Sequence, residues 1–311
     1  MAATAIGIIG LGKITEDQHL PVIARNPAFK LVAVSSQHGV EVEGVPTFRS
    51  PAEMYAAVPE LEAVAICTPP QVRHIYAREA LAAGKHVMLE KPPTATVSEL
   101  ADLAFFAAEC GLVLFTTWHS QYNAAVVHAR SLLQGERVKM MTITWKEDVR
   151  RWHPGQKWIW TPGGFGVFDP GINALSIVTE IMPSPVFVAG ADLIFPSNCD
   201  APIAAALRFR TAHTDEGLTA EFDWRQTGPQ TWEIAIETAV GNRLTLANGG
   251  ARLEVNGVLD VERPPHEYED IYDRFAELLR DRRSIVDAAP LRLVADAFMV
   301  GRRIVTDPFH D

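Results

Sequence analysis

The chain has 311 residues, 48% of them hydrophobic, with 28 basic and 38 acidic side chains and a net charge of −10. This length allows two domains with buried cores, and acidic charge without a basic block argues against nucleic acid or an anionic membrane as a partner. Three cysteines without metal or disulfide spacing, no leader peptide and no membrane-length apolar run predict a cytoplasmic protein without a metal site. We therefore expect a small-molecule partner.

The first third of the chain alternates short apolar runs with helical segments. Strands are predicted to begin at Ala5, Leu31, Ala63, His86 and Leu112, and helices are predicted at 20–25, near 56, at 72–83 and at 97–110. Continuous apolar strands separated by helices are typical of a parallel sheet covered on both faces. The pattern predicts a doubly wound α/β domain over residues 1–120.

After residue 120 the apolar residues alternate with polar ones. Strands are predicted at 139–148, 186–195, 203–209, 218–224, 231–239, 243–247 and 252–255, followed by helices at 268–282 and 291–306. Alternation with turn residues between strands predicts an α+β domain over residues 121–311 with a large, open, mainly antiparallel sheet. Its free face could pair with a second subunit, and the terminal helices could pack back on the first domain.

A glycine turn follows the first predicted strand. Gly10 permits the tight turn, and Gly12 lets backbone amides approach a pyrophosphate at the start of the next helix. Thr15 occupies the third position of this fingerprint, where glycine or alanine is usual. The first domain is therefore expected to bind NAD or NADP, with Gly10, Gly12, Lys13 and Ile14 at the turn.

The end of the second predicted strand bears on the choice of cofactor. Ser35, Ser36, Gln37 and His38 stand where an NAD-specific protein has a carboxylate for the ribose hydroxyls. Without that carboxylate a 2′-phosphate is not repelled, and without an arginine among these residues NAD is not excluded. We expect use of both nucleotides.

Two further strand ends are candidates for the nicotinamide half of the site. Cys67, Thr68 and Pro69 could form a wall beside the ribose and nicotinamide, or be only a rigid strand-to-helix turn. Glu90 and Lys91 follow a buried strand at the edge where ligands of doubly wound sheets bind. A lysine there is often solvated, but the two prolines that follow Lys91 restrict the backbone.

Asp169 and Asn173 are predicted to begin a helix. Their spacing places both side chains on one face, with Pro170 at the first helical position. Asp169 could simply cap this helix. The glycine-rich residues 162–166 before it favour a ligand site, because glycine allows the backbone to approach a ligand.

Between these motifs, residues 145–160 contain four of the seven tryptophans, interleaved with charges. Indole faces beside carboxylates and imidazoles suit a polyol, whose C–H faces stack and whose hydroxyls need donors and acceptors. Glu147, Trp152 and His153, with His119 after the last strand of the first domain, are the candidates for substrate binding. The alternative is a strand edge packed by aromatic side chains.

Together these motifs resemble the glucose-fructose oxidoreductase and inositol dehydrogenase superfamily along essentially the whole chain. The motifs are the glycine turn of a Rossmann domain, Glu90-Lys91-Pro92 and an Asp-x-x-x-Asn helix before an open sheet. Longer strings, such as residues 68–73 and 117–120, are similar to its bacterial L-arabinose and D-galactose 1-dehydrogenases. The resemblance implies oxidation of an aldopyranose at C1 to its lactone by NAD(P).

Asn173 departs from many members of the superfamily, which have a titrating histidine at this place. Since asparagine cannot accept the proton of the C1 hydroxyl, we assign that proton to Asp169, supported by Lys91, with Lys91 as the alternative base. Two other readings stay open. These are a regulator that binds the dinucleotide and a sugar without catalysis, and another polyol or inositol dehydrogenase.

Overall fold

A computed structural model describes residues 2–214 and 216–310, and the chain forms two compact units. The first unit comprises Met1–His119 and His266–Ala288, and the second comprises Ser120–Pro265 and Ala289–Asp311. The chain therefore leaves the first unit after His119 and returns to it for one helix. The division of function between residues 1–120 and 121–311 stays a prediction.

The strands are β1 Thr4–Ile9, β2 Phe29–Ser35, β3 Thr47–Phe48, β4 Ala63–Ile66, β5 His86–Leu89, β6 Leu114–Thr116, β7 Val138–Lys146, β8 Phe187–Pro196, β9 Ala204–Arg210, β10 Leu218–Asp223, β11 Thr231–Thr238, β12 Arg243–Ala247, β13 Arg252–Val255, β14 Val258–Glu262 and β15 Gly301–Thr306. The α-helices are α1 Leu20–Arg25, α2 Pro51–Ala57, α3 Pro70–Ala82, α4 Val97–Cys110, α5 Ala124–Leu133, α6 Val149–Trp152, α7 Phe168–Ile181, α8 Glu267–Asp281 and α9 Ala289–Val300. A π-helical turn, Thr15–His19, leads directly into α1.

The first unit is built on a six-stranded parallel sheet in the order β3-β2-β1-β4-β5-β6. The strand order reverses at β1, so the carboxyl ends of β1 and β4 border the crevice where doubly wound sheets bind ligands. β4 is buried throughout and β5 is buried from Val87 onward, as their continuous apolar sequences predict. The predicted doubly wound sheet is confirmed.

Local sequence signals explain why α4 matches its predicted range. Thr96 caps its first turn by accepting from the Glu99 amide, and the Glu99 carboxylate accepts from the Thr96 amide in return. Gly111 ends the helix with a φ of 64°, a conformation that glycine adopts without steric cost. Both ends are therefore specified within a few residues of the helix itself.

The second unit is built on a nine-stranded mixed sheet in the order β14-β13-β12-β11-β7-β10-β9-β8-β15. Most neighbouring pairs are antiparallel, whereas β7 with β10 and β8 with β15 are parallel. Alternate residues of β9 and β10 are buried, so the sheet has one covered face. The predicted large, mainly antiparallel sheet is confirmed.

The second unit corrects the prediction of a helix at 291–306. The helix α9 ends at Val300, and the last six residues of that range form β15, which pairs with β8 from Gly301–Ala191 to Thr306–Pro196. Ile304, Val305 and Thr306 are β-branched, and β8 offers an unpaired edge. Strand pairing therefore overrides the helical pattern that continues through the apolar residues.

Helix α7 carries the Asp169 motif and packs against α5, α9 and β7. Phe168 anchors its first turn between Phe222 and Phe298, with ring centroids 5.8 and 5.4 Å away. The helix begins at Phe168, so the prediction of Pro170 at the first helical position was wrong by two residues. Proline is tolerated there because the amides of the first turn have no partner within the helix.

Among residues 2–214 and 216–310, no helix is long and apolar enough to cross a membrane.

Candidate active site

In the first unit, Gly10 forms a turn at the end of β1, and a side chain at this position would not fit. Its φ is 94°, and a Cβ atom at this position would lie 2.9 Å from the Thr68 amide nitrogen. Gly12 has no atom within 4 Å of such a Cβ, so open space lies in front of the turn. The Thr68 hydroxyl oxygen is buried without a hydrogen-bond partner. Open space and an orphaned hydroxyl beside a glycine turn fit a dinucleotide.

The other residues predicted to hold the cofactor border this turn or the adjacent strand ends. Ser35 accepts a hydrogen bond from the Gly10 amide through its carbonyl oxygen, at 2.9 Å. Ser35 and Ser36 are buried, whereas Lys13 and Ile14 are exposed just before the π-helical turn. Cys67 continues the line of β4 through a 2.8 Å hydrogen bond from its amide to the Ile9 carbonyl.

Arg49 is a residue that the sequence analysis missed. It follows β3, which pairs with the end of β2, and its Nη1 donates to the Gln37 carbonyl oxygen at 3.2 Å. Its guanidinium lies 2.7 Å from where a Cβ of Gly39 would stand. Gln37 and His38 are exposed beside it. An arginine thus lies near the end of β2, although it comes twelve residues after Gln37 in the sequence. It is brought there by the pairing of β2 with β3, a short strand that the sequence did not predict.

Glu90 lies at the end of β5 in a buried cluster of polar side chains. Its Oε1 accepts from Tyr268 Oη at 2.6 Å and from His19 Nε2 at 3.1 Å, and its Oε2 accepts from the Lys91 amide at 2.7 Å. Nδ1 of His19 lies 2.8 Å from the Tyr272 hydroxyl. The carboxylate is thus held by protein donors and holds the backbone that carries Lys91.

Electrostatics favour the ionised form of this cluster. Burial would raise the pKa of Glu90, but the hydrogen bond and charge of His19 outweigh it and lower that pKa to about 2. Burial would lower the pKa of His19, whereas Cys67, Tyr272 and Glu90 around it raise that pKa well above its usual value. His19 and Glu90 therefore form a buried imidazolium–carboxylate pair, and its carboxylate accepts the hydrogen bond from the Lys91 amide. The sequence analysis did not recognise His19, Tyr268 or Tyr272 as members of this cluster.

Arg73 connects the two strand-end segments of the first unit. It is buried, and its guanidinium donates to the carbonyl oxygens of Thr68, Glu90 and Pro92. The β4 and β5 ends are thereby held in one arrangement. Lys91 is half-buried in this loop, and His119 stacks on Tyr268 with ring centroids 5.8 Å apart.

The second unit brings Asp169 and His153 together. His153 Nε2 lies 3.2 Å from Asp169 Oδ2, and the Asp169 side chain is only 6% exposed. Asp169 lies within the first turn of α7 and the cap position is Val167, so Asp169 is not the N-cap of the helix. Asn173 follows one turn later on the same helix and is half-buried.

Glu147 lies at the end of β7 in an aromatic environment. Its Oε1 accepts from Trp224 Nε1 at 3.0 Å and its Oε2 accepts from Trp232 Nε1 at 2.8 Å. Burial raises the pKa of Glu147 despite these two hydrogen bonds and the nearby His153, and Asp169 adds to the rise. The carboxylate therefore organises two indoles near the Asp169–His153 pair.

Trp152 completes the predicted set in the second unit. Its Nε1 donates to Gln230 Oε1 at 3.2 Å, and its ring lies 5.7 Å from that of Trp232. Glu147, Trp152, His153 and Asp169 therefore belong to one aromatic and acidic region of the second unit. Lys91, His119 and the cofactor candidates belong to the first unit.

Comparison with known proteins identifies the family. Residues 4–117 match the sequence model of a protein family described as an oxidoreductase family with an NAD-binding Rossmann fold. The galactose 1-dehydrogenase of Pseudomonas fluorescens is 45% identical over 314 residues, with both chains covered completely. The chain belongs to this oxidoreductase family. The predicted membership of the glucose-fructose oxidoreductase and inositol dehydrogenase superfamily is confirmed.

Two solved structures extend the comparison. The D-galactose-1-dehydrogenase protein from Rhizobium etli is 54% identical, with a TM-score of 0.94 over 100% of this chain and 99% of that one. KijD10, a 3-ketoreductase from Actinomadura kijaniata in complex with NADP and TDP-benzene, has a TM-score of 0.84 at 18% identity, covering 98% and 99%. The first supports the family along the whole chain, and the second shows the fold alone.

Proposed function

We propose that this oxidoreductase is an NAD(P)-dependent sugar 1-dehydrogenase that oxidises C1 of D-galactose or L-arabinose, as pyranoses, to the aldonolactone. The observation that carries this proposal is the buried Asp169 carboxylate paired with His153 among tryptophans. It occurs in a chain that matches a galactose 1-dehydrogenase from end to end. A carboxylate beside an imidazole can take the hydroxyl proton, and indole faces suit a sugar ring.

In this proposal Asp169 accepts the O1 proton while the C1 hydrogen leaves. Lys91 donates a hydrogen bond to the sugar oxygen. Asn173 cannot titrate, so it holds O1 or O2 through its amide. The hydrogen bond from the Lys91 amide to Glu90 supports the assignment of Lys91, because it restricts the backbone from which that lysine projects.

Sugar recognition is assigned to His119, Trp152 and His153, with Glu147. The pairing of Glu147 with two indoles supports a role in which it orients the aromatic wall as well as meeting distant hydroxyls. L-Arabinopyranose and D-galactopyranose share the configuration at C2, C3 and C4. A site that contacts C1 to C4 accepts both, because one additional carbon in a pocket typically changes binding by about 1 to 3 kcal/mol.

For the cofactor we propose use of both NAD and NADP. When bound, the oxidised nicotinamide supplies the hydride acceptor. Gly10 and Gly12 would hold the pyrophosphate, and Cys67, Thr68 and Pro69 would border the nicotinamide ribose. Ser35, Ser36, Gln37 and His38 would meet the adenosine ribose, where Arg49 adds a positive charge suited to a 2′-phosphate.

The test is steady-state formation of reduced nicotinamide from D-galactose and from L-arabinose, each with NAD and with NADP. We expect turnover with both sugars. Asp169→Asn should lower kcat about 100- to 10,000-fold while cofactor affinity stays unchanged. Binding of cofactor and sugar without turnover would instead indicate a regulator, and activity confined to inositols would indicate another polyol dehydrogenase.

We also propose a cytoplasmic homo-oligomer that pairs through the open face of the nine-stranded sheet. This face carries cross-strand ion pairs that would lie at such an interface, including Lys139–Glu237 and Lys146–Glu221. Three free cysteines are compatible with a reducing compartment. Light scattering coupled to size-exclusion chromatography would measure the mass in solution, and a monomer would contradict the pairing.

A further inference from the structure

A tight turn determines how His153 faces Asp169. In the sequence His153-Pro154-Gly155-Gln156, the Gln156 amide donates to the His153 carbonyl oxygen at 3.2 Å, and Gly155 has a φ of 68°. Proline followed by a glycine of positive φ is the pattern of a type II turn. The turn places Gln156 Oε1 3.2 Å from His153 Nδ1.

Trp158 identifies the atom that Gln156 offers to the imidazole. Its Nε1 lies 3.1 Å from the same Gln156 Oε1. An indole N–H can only donate, so the amide atom at this position must be the oxygen. His153 Nδ1 must then carry a proton and donate, since two acceptors would otherwise face each other.

The other ring nitrogen of His153 faces a carboxylate. An imidazole with its only proton on Nδ1 has a lone pair on Nε2, and that atom lies 3.2 Å from Asp169 Oδ2. Two acceptors at this distance need one proton between them. The observed contact therefore corresponds to a pair that has taken up a proton, either as imidazolium and carboxylate or as imidazole and carboxylic acid.

We propose that Asp169 and His153 form one proton-accepting pair, and that Gln156 and Trp158 are positioning residues that set its tautomer. This inference rests on the proposed function. In the reaction, the C1 hydrogen leaves with its electron pair to NAD(P)+, the O1 proton passes to Asp169, and the lactone and NAD(P)H remain. The proton is then shared with His153 Nε2 and released to water, since His153 is 18% exposed against 6% for Asp169.

The surroundings of His153 support a pair that retains a proton. The titratable groups shown to interact with it are Asp169 on α7 and Glu147 on β7, and both are acidic. The His153 ring also lies beside the Trp224 indole, at 5.2 Å between centroids. Both carboxyl groups can therefore interact favourably with a proton held on the imidazole.

The direct test is nitrogen NMR of protein labelled with ¹⁵N-histidine, without substrate, over a pH titration. The His153 signals are assigned by their absence from His153→Gln. We expect the neutral imidazole of His153 to carry its proton on Nδ1. In Trp158→Phe the Gln156 amide can turn over and donate to Nδ1, so the proton should move to Nε2. A wild-type neutral form protonated on Nε2, or no change in Trp158→Phe, would overturn the assignment.

Kinetics test the same residues in turnover. The acid limb is the part of the pH profile in which kcat falls as the pH is lowered and the His153–Asp169 pair becomes protonated. Gln156→Glu should move this limb about one pH unit higher, because the added negative charge favours the protonated form of the pair. Trp158→Phe should move the limb lower. Trp160→Phe is the matched control, since Trp158 and Trp160 both lie in the short 3₁₀ helix Lys157–Trp160, and Trp160 contacts Trp224 and Phe309 by its ring. This variant should leave the acid limb in place.

His153→Gln separates proton uptake from orientation. Glutamine keeps an N–H donor for Asp169 but cannot accept a proton, so kcat should fall about 100-fold. Suppose that the wild type is active, that Gln156→Glu has the same acid limb as the wild type, and that His153→Gln keeps its full kcat. These results together would refute the proton-accepting pair and leave the proposed function intact. A wild type inactive on both sugars would refute the proposed function, and the NMR result would still decide the tautomer.

Discussion

Glu90→Gln removes the negative charge from the buried cluster of the first unit. Glutamine has nearly the same shape, but only one of its terminal atoms can accept a hydrogen bond. The Glu90 carboxylate accepts from Tyr268 and His19 on one oxygen and from the Lys91 amide on the other. In the variant, one donor must face an N–H group, and the His19 imidazolium loses its counter-ion.

The magnitude follows from the pKa of Glu90. Its fall from the usual 4.5 to about 2 corresponds to on the order of 3 kcal/mol of stability at neutral pH. Removing one partner of a buried ion pair typically costs about 3 to 5 kcal/mol. Both routes predict a loss of roughly 3 kcal/mol for Glu90→Gln.

The effect should depend on pH in a defined direction. Glu90 has a lowered pKa, so its stabilisation is present above about 4.5 and is lost as the pH falls toward 2. His19 has a raised pKa, so its stabilisation is present below about 6.5 and is lost as the pH rises through the higher folded value. The difference between wild type and variant should be largest between these two values.

The assay is urea unfolding followed by circular dichroism across this pH range. Glu269→Gln is the matched control, because Glu269 also lies in the first unit and pairs with Arg25 at 2.9 Å on an exposed surface. An exposed pair contributes about 0 to 1 kcal/mol. A loss in Glu90→Gln no larger than in Glu269→Gln would refute the reasoning.

Three further substitutions test other parts of the structure. Arg49→Ala should raise KM for NADP about 10-fold and leave KM for NAD nearly unchanged, because only a 2′-phosphate gains from the guanidinium; equal effects would remove Arg49 from this role. Gly10→Ala should weaken cofactor binding at least about 10-fold in fluorescence titrations, because φ is 94° and a Cβ would meet the Thr68 amide; unchanged affinity would contradict the turn geometry. Glu147→Gln leaves one indole N–H facing an amide N–H, so urea unfolding should show a loss of about 1 to 3 kcal/mol, and no loss would show that the indoles do not depend on the carboxylate.

The fold class could be predicted because its signals are local and repeated. Buried parallel strands are apolar without interruption, as in β4, and sheet strands with one covered face alternate, as in β10. Helix α4 has both ends marked by its own capping residues. The same local pattern failed at Gly301, where pairing with β8 rather than helical periodicity decides the structure.

The sequence by itself determined the alternation of elements, the glycine turn at Gly10 and the Asp169 motif, because each depends on neighbours within a few residues. Only the tertiary structure joined His19 and Tyr268 to Glu90, across 71 and 178 residues. It also placed Arg49 at the end of β2 through strand register. Burial and charge pairing depend on distances in space, and one sequence read along its length does not contain them.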